Sequence, residues 1–182
     1  MSKTREMLVD VARQLFAKSG LENTTMNDIA IASRKGRRTL YTYFKNKNEI
    51  YWAVVESELA HLLQRLKDIA NKDLPPEEKL TNYILTRLEA VKETVFRDIW
   101  KVEQARKNID MHEVVLLKGI LKEGVDRGDF RITSVSATAT ILHYALKGLD
   151  VPYIRDNFTE MGLERLRVKE YIADLVLYGI KK

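Results

Sequence analysis

Apolar positions along this chain recur every three or four residues, the spacing of one buried face on a helix. Leu8, Val11, Ala12, Leu15 and Phe16 form the first stripe, which predicts a helix over 4–19 closed by Gly20 at the C′ position. Two shorter stripes follow. Thr25 stands as a cap with Asp28 three residues on, the T-x-x-D form of a capping box, and Met26, Ile29 and Ala30 then share a face. The pattern breaks at Arg34-Lys35-Gly36, where Gly36 is expected to permit a sharp turn. It resumes over Arg37–Phe44, with Leu40 and Phe44 one turn apart and facing inward. Asn46 and Glu49 make a second capping pair. Two short helices joined by a glycine-containing turn are the layout of a helix-turn-helix, whose second helix enters the major groove of DNA.

Beyond Lys47 the stripes lengthen. Ile50, Tyr51, Val54, Val55, Leu59, Leu62, Leu63, Leu66 and Ile69 hold the period over 47–70. A helix of that length spans roughly 36 Å, enough to belong to both a DNA-reading head and a body. Pro75 and Pro76 end it. Leu80, Tyr83, Ile84, Leu88, Val91 and Val95 make the next stripe. Ile99, Trp100 and Val102 make a shorter one that stops before Lys107-Asn108. Val114, Leu117, Leu121 and Val125 make another, closed by Gly124 and by Gly128-Asp129-Phe130. Thr133 or Ser134 caps a helix that Asp150-Val151-Pro152 is expected to end, and the last helix covers about 163–180. The prediction is an all-α chain: a three-helix head with a helix-turn-helix, residues 1–47, on a larger helical-bundle body, residues 48–182.

Two stretches of the body have the character of an interface. Ser136, Ala137, Ala139, Thr140, Ala145 and Gly148 are small and lie among Ile141, Leu142, Leu146 and Leu149. The last helix is apolar on more than one side, through Leu166, Tyr171, Ile172, Leu175, Val176, Leu177, Tyr178 and Ile180. A helix with more apolar surface than one side can bury suggests a partner. A two-fold four-helix contact between copies would use Ile141, Leu142, Ala145, Leu149, Tyr171, Ile172, Leu175 and Val176. The alternative is a terminal helix well buried in its own chain.

Charge sharpens the picture at the head. Six cations and no anion lie between Ile29 and Asn48: Arg34, Lys35, Arg37, Arg38, Lys45 and Lys47. The whole chain carries +5, so the remainder carries −1, and the basic excess sits in this one segment. A focused positive patch on a turn and a helix start is the footprint expected for phosphate. A solvated basic loop is the bland alternative. Composition adds little more. The 45% apolar content fills a sizeable core, and only 3 prolines and 8 glycines favour helix. The absence of cysteine excludes disulfides and thiol chemistry and suits a reducing cytoplasm. There is no apolar run of membrane-spanning length, so no membrane partner is expected.

Residues 8–55 resemble the amino-terminal domain of the TetR (tetracycline-repressor-like) family of bacterial transcription regulators. The carriers are the helix Leu8–Ser19 with Phe16 and Gly20, the run Thr24-Thr25-Met26-Asn27-Asp28-Ile29-Ala30, the run Thr39-Leu40-Tyr41-Thr42-Tyr43-Phe44, and Lys47-Asn48-Glu49-Ile50. The resemblance implies that Thr25, Tyr43 and Lys47 contact phosphate, and that the protein is a homodimeric repressor. Residues in the first turn of the reading helix face base edges, which makes Arg37 and Arg38 candidates for guanine O6 and N7 and Thr39 for a thymine methyl or a phosphate. Asn27, Arg34, Lys35 and Tyr41 complete the candidate DNA-binding set. The chain departs from the family at the turn, where Ala-Gly-Val-Ser-Lys-Gly is usual and Ser33-Arg34-Lys35-Gly36-Arg37-Arg38 stands here. Lys35 replaces a buried valine, so its stem is expected to lie along the core with the charge reaching out.

No catalytic constellation appears. His112-Glu113 lacks the second histidine of an H-E-x-x-H helix, and neither a nucleophile elbow nor a phosphate-binding loop is present. No metal and no cofactor are expected. Tyr83, Phe96, Trp100, His112, His143 and Tyr144 are candidate lining for a small-molecule pocket between helices, with plain core as the alternative. The reading is a sequence-specific regulator on a palindromic duplex operator, released by a small-molecule effector. Two rivals stay open: a body that binds a partner protein instead, and a helical enzyme or RNA-binding domain with an incidental basic turn.

Overall fold

The computed structural model describes residues 2–92 and 99–182, the side chains of 91–106, 108, 154, 165 and 166 excepted. The described residues form α1 (Lys3–Ser19), α2 (Met26–Ala32), α3 (Arg37–Tyr43), α4 (Lys47–Asn71) and α5 (Pro76–Lys92). They continue with α6 (Ile99–Arg127), α7 (Val135–Gly148), α8 (Asp150–Ile154), α9 (Asn157–Glu160) and α10 (Arg165–Ile180). The described residues divide into two units, 2–60 with 99–105 and 61–92 with 106–182, with boundaries inside α4 and inside α6.

In the first unit α1 packs on α2, and α2 on α3. Leu8, Val9, Ala12 and Phe16 are the buried stripe of α1, and they share a core with Ile29, Ala30, Leu40, Phe44, Ile50, Tyr51, Val54 and Val55. Each valine, leucine, isoleucine or phenylalanine among them contributes about 1.5–3 kcal/mol when fully buried. Phe16 meets the Tyr51 ring edge-on at 6.2 Å. Gly20 ends α1 at φ 82, a left-handed conformation in which a Cβ is unfavourable. Ser134 is the residue that caps α7.

In the second unit the core gathers Leu62, Leu66, Ile69, Leu80, Tyr83, Ile84, Leu88, Leu117, Ile120, Leu121, Phe130, Ala139, Leu142, Leu146 and Ala173. Here α5 lies against α8 and α10. Two expectations are corrected. Lys107-Asn108 does not interrupt a helix, because α6 runs unbroken through it. Gly124 does not close α6 but lies inside it, where the Phe130 ring packs so near that a Cβ would come within 2.1 Å of it. As expected, the helix capped by Ser134 ends just before Asp150-Val151-Pro152, and Asp150 opens a separate short helix, α8, as proline in a first turn allows. The chain then returns beside its own end: Arg131 N–H donates to the Ile180 carbonyl at 2.8 Å, and Lys182 N–H to that of Asp129 at 3.1 Å. Among the described residues no helix is long and apolar enough to cross a membrane.

Candidate nucleic-acid interface

The helix-turn-helix is built from its caps. Asp28 N–H donates to Thr25 Oγ1 at 3.1 Å, while Thr25 donates to Asp28 Oδ2 through its amide at 2.8 Å and its hydroxyl at 2.7 Å. The hydroxyl bond, and after it the amide bond, hold the Asp28 carboxyl below its ordinary pKa. At the other end of α2, Lys35 N–H donates to the Ala30 carbonyl and Arg34 N–H to that of Ile31. This pair of bonds is a Schellman motif, whose C′ residue takes the left-handed conformation. Arg34 is that residue, at φ 53. Gly36 is not the strained position. It is extended at φ −62, and it opens α3 without a side-chain cap.

On α3 Leu40 and Phe44 are buried as expected. Arg37, Arg38, Tyr41 and Thr42 are exposed and share the outward face by helical spacing, with Thr39 and Tyr43 half-buried beside them. Tyr41 is 46% exposed. Thr42, absent from the expected set, was legible as the residue one turn after Arg38; its hydroxyl donates to the Arg38 carbonyl at 2.9 Å. Two arginines at the positive end of a helix dipole disfavour the helix, so local stability does not account for them.

The basic residues separate into two groups. Arg34, Lys35, Arg37, Arg38 and Lys45 are exposed and form no ion pair among the described residues. Lys35 is exposed rather than laid along the core. Lys47 differs: half-buried, it donates from Nζ to the Leu21 carbonyl at 2.8 Å and to that of Glu22 at 3.3 Å. Ser2 Oγ donates to the Tyr43 hydroxyl at 3.2 Å, and the Arg5 guanidinium lies 5.1 Å from the Phe44 ring centre. Asn27 is exposed on α2. At the start of α4, Glu49 N–H donates to Asn46 Oδ1 at 2.9 Å, but the Glu49 carboxylate accepts from Lys45 N–H rather than completing the box on Asn46.

The body holds a buried ionic cluster that the sequence reading missed. Arg87 is fully buried and bonds Asp150 through both terminal nitrogens, at 2.6 and 3.1 Å, and Glu113 through Nε at 3.2 Å. Burial alone would lower the Arg87 pKa, but Glu113 and Asp150 outweigh it and raise it. The Tyr83 hydroxyl donates to the Glu113 carbonyl at 3.3 Å, and burial, reinforced by the Glu113 charge, pushes its pKa up. His143 lies between two carboxylates, with Nδ1 3.2 Å from Glu113 Oε2 and Nε2 3.5 Å from Asp110 Oδ1. Among the described residues neither ring nitrogen has hydrogen-bond geometry. Lys147 Nζ donates to Asp110 Oδ2 at 2.7 Å. The signal was present in the register: Arg87 follows Tyr83 and Ile84 by one turn, on the inward stripe.

Of the expected pocket residues whose side chains are described, only Tyr83 and His143 meet in this cluster. His112 is exposed, and Tyr144 is 60% exposed, its ring edge-on to His143 at 5.1 Å. Phe96 and the Trp100 side chain lie outside the described residues. Of the expected interface residues, Ile141 (68%), Leu175 (76%), Tyr171 and Ala145 are exposed, and Tyr178 joins them at 83%. Leu142 is buried in its own core, and Leu149, Ile172 and Val176 pack partly against it.

Residues 8–54 match the model of the bacterial regulatory proteins of the tetR family. The chain is 28% identical over 138 residues to the HTH-type transcriptional repressor KstR2 of Mycolicibacterium smegmatis, covering 70% of this chain and 67% of that one. A solved transcriptional regulator from Cytophaga hutchinsonii shares the fold, with a TM-score of 0.81 at 24% identity over 97% of this chain and 98% of that one. So does SmeT, solved as a complex with triclosan, with a TM-score of 0.66 at 20% identity over 100% and 93%. With its capped helix-turn-helix, the matched segment is a DNA-binding domain of the tetR type, and the chain is similar over most of its length to transcriptional regulators that carry it.

Proposed function

We propose that the protein is a homodimeric repressor that binds a roughly palindromic operator in duplex DNA and leaves it when a small-molecule effector binds. Residues 1–47 bind DNA, residues 48–182 bind the effector and dimerise, and the protein works in the cytoplasm. The observation that carries this reading is the set of five exposed cations without ion-pair partners among the described residues, at the turn, in the first turn of α3 and just beyond its end. Arg37 and Arg38 read base edges, with Thr39 and Tyr41 beside them. Arg34, Lys35 and Lys45 neutralise phosphates, Thr25, Asn27 and Tyr43 fix the head on the backbone, and Lys47 belongs to the same DNA-binding set.

Dimerisation through the exposed faces of α7 and α10, around Ile141, Ala145, Tyr171 and Leu175, sets two heads for half-sites about 34–36 Å apart. The repressor role is supported by the name of KstR2, and the effector by the SmeT–triclosan complex. Tyr83 and His143 are the polar groups proposed for effector recognition. An effector that favours one arrangement of the heads over another releases DNA by that difference in affinity.

Selection of bound sites from random duplex DNA tests the reading. An inverted repeat is expected, with preference relaxed at one position per half-site and a loss of about 1–3 kcal/mol for Arg37→Ala or Arg38→Ala. Tyr43→Phe weakens binding to every sequence alike. Recovery of no repeat, or equal binding of single-stranded RNA, counts against it.

A further inference from the structure

We propose that Lys47 acts on DNA chiefly as a positioning residue, by clamping the loop between α1 and α2. The proposal rests on the DNA-binding reading of α2 and α3. An ammonium has three N–H donors. Two of those of Lys47 are committed, to the Leu21 carbonyl at 2.8 Å and the Glu22 carbonyl at 3.3 Å, across 25 and 26 residues of sequence. Bonds with a charged donor are the stronger kind. The same Leu21 carbonyl accepts Thr24 N–H, and the buried Thr24 donates its hydroxyl to the Gly20 carbonyl at 2.8 Å. The loop is therefore held from both ends, by Thr24 within itself and by Lys47 from the first residue of α4.

Immediately after this loop comes Thr25, the N-cap of α2 and one half of its capping box. Fixing residues 21–24 fixes where that cap starts, and so where Thr25 and Asn27 are presented. Lys45 provides the contrast two residues earlier. It is exposed and its ammonium has no ion-pair partner among the described residues, as suits direct attraction to phosphate. Lys47 has one donor left and a stem pinned in place. Its larger effect on DNA then passes through the loop.

Amide hydrogen exchange and the salt dependence of operator binding test this on the full chain, with Lys47→Met, Lys47→Arg and Lys45→Met. Lys47→Met is expected to speed exchange at Thr24, Asp28 and Ile29 about tenfold or more. It weakens operator binding while leaving the slope of log affinity against log salt within about 0.3 of the native value. Lys47→Arg, which keeps N–H donors at the end of a long stem, restores protection and affinity. Lys45→Met leaves exchange unchanged and flattens the slope by about 0.9 per head. Unchanged exchange in Lys47→Met overturns the clamp, as does a slope loss equal to that of Lys45→Met. If Lys47→Met does not fold, Lys47→Arg decides, since poor protection there overturns the clamp equally. A native chain that binds no duplex would sink the DNA-binding reading, and the exchange arm would still report on the clamp.

Discussion

Arg34 occupies the one position of the helix-turn-helix where its side chain is a local liability. The Schellman turn needs a left-handed residue, and an L-residue there is unfavourable by about 1–2 kcal/mol, against about 0.5–1 kcal/mol of extra chain entropy lost by glycine. Arg34→Gly is therefore expected to raise the unfolding free energy slightly, by up to about 1 kcal/mol, and to weaken DNA binding through the lost charge. Paired urea melts and operator titrations check both signs. The sequence located the turn but misplaced its strained residue, because Gly36 is the conspicuous permissive residue and Arg34 is not. What settles the matter is the pairing of Lys35 with Ala30, which spacing alone does not show. Lys35, expected to lie along the core, stands exposed on the same turn.

Helix boundaries were legible wherever a side chain caps or a glycine stops the chain, as at Thr25, Gly20 and Ser134. They were illegible where polarity was read as a break, as at Lys107-Asn108 on α6. The α2 cap makes a pH prediction. The folded Asp28 carboxyl has its pKa below the unfolded value of about 3.8. Its stabilising effect is thus present above that value and lost as pH falls through the folded one. Native protein should lose stability more steeply than Asp28→Asn below about pH 4, with the variant the weaker at neutral pH; acid-titrated urea melts would show it.

A second prediction at this scale concerns the ionic cluster that joins α5, α6 and α8. Arg87→Met leaves Glu113 and Asp150 buried without their guanidinium, which costs about 3–5 kcal/mol. Replacing all three together by apolar residues of similar volume should recover most of that loss. Equal losses in the single and triple variants would mean that the carboxylates do not depend on Arg87. Sequence reading missed this cluster because it scored the stripe on α5 by apolar residues and passed over the charge standing in register with them.

At the scale of the whole molecule, the apolar faces of α7 and α10 were anticipated, while the inward turn of Leu142 was not. The difference is rotational: residues 141 and 142 point a helical step apart, and composition does not say which one faces out. Leu175→Arg is expected to yield a folded monomer with weak operator binding, since Leu175 is 76% exposed and its replacement disturbs no core. Sedimentation of the variant at micromolar concentration decides this. An unchanged dimer mass would place the contact elsewhere. In the proposed dimer, binding should weaken about 10³–10⁵-fold between 50 and 200 mM salt if six to ten phosphates are neutralised.

The same cluster bears on how this lineage can change. Loss of Arg87, Glu113 or Asp150 alone forfeits a large share of the roughly 5–15 kcal/mol by which a domain is stable, whereas simultaneous apolar replacement does not. Descendants meet a fitness valley between two viable cores, and mutations arrive one at a time. The charged core is therefore inherited as a ratchet. Its persistence among descendants would measure how hard it is to leave, and would not by itself be a sign of present use.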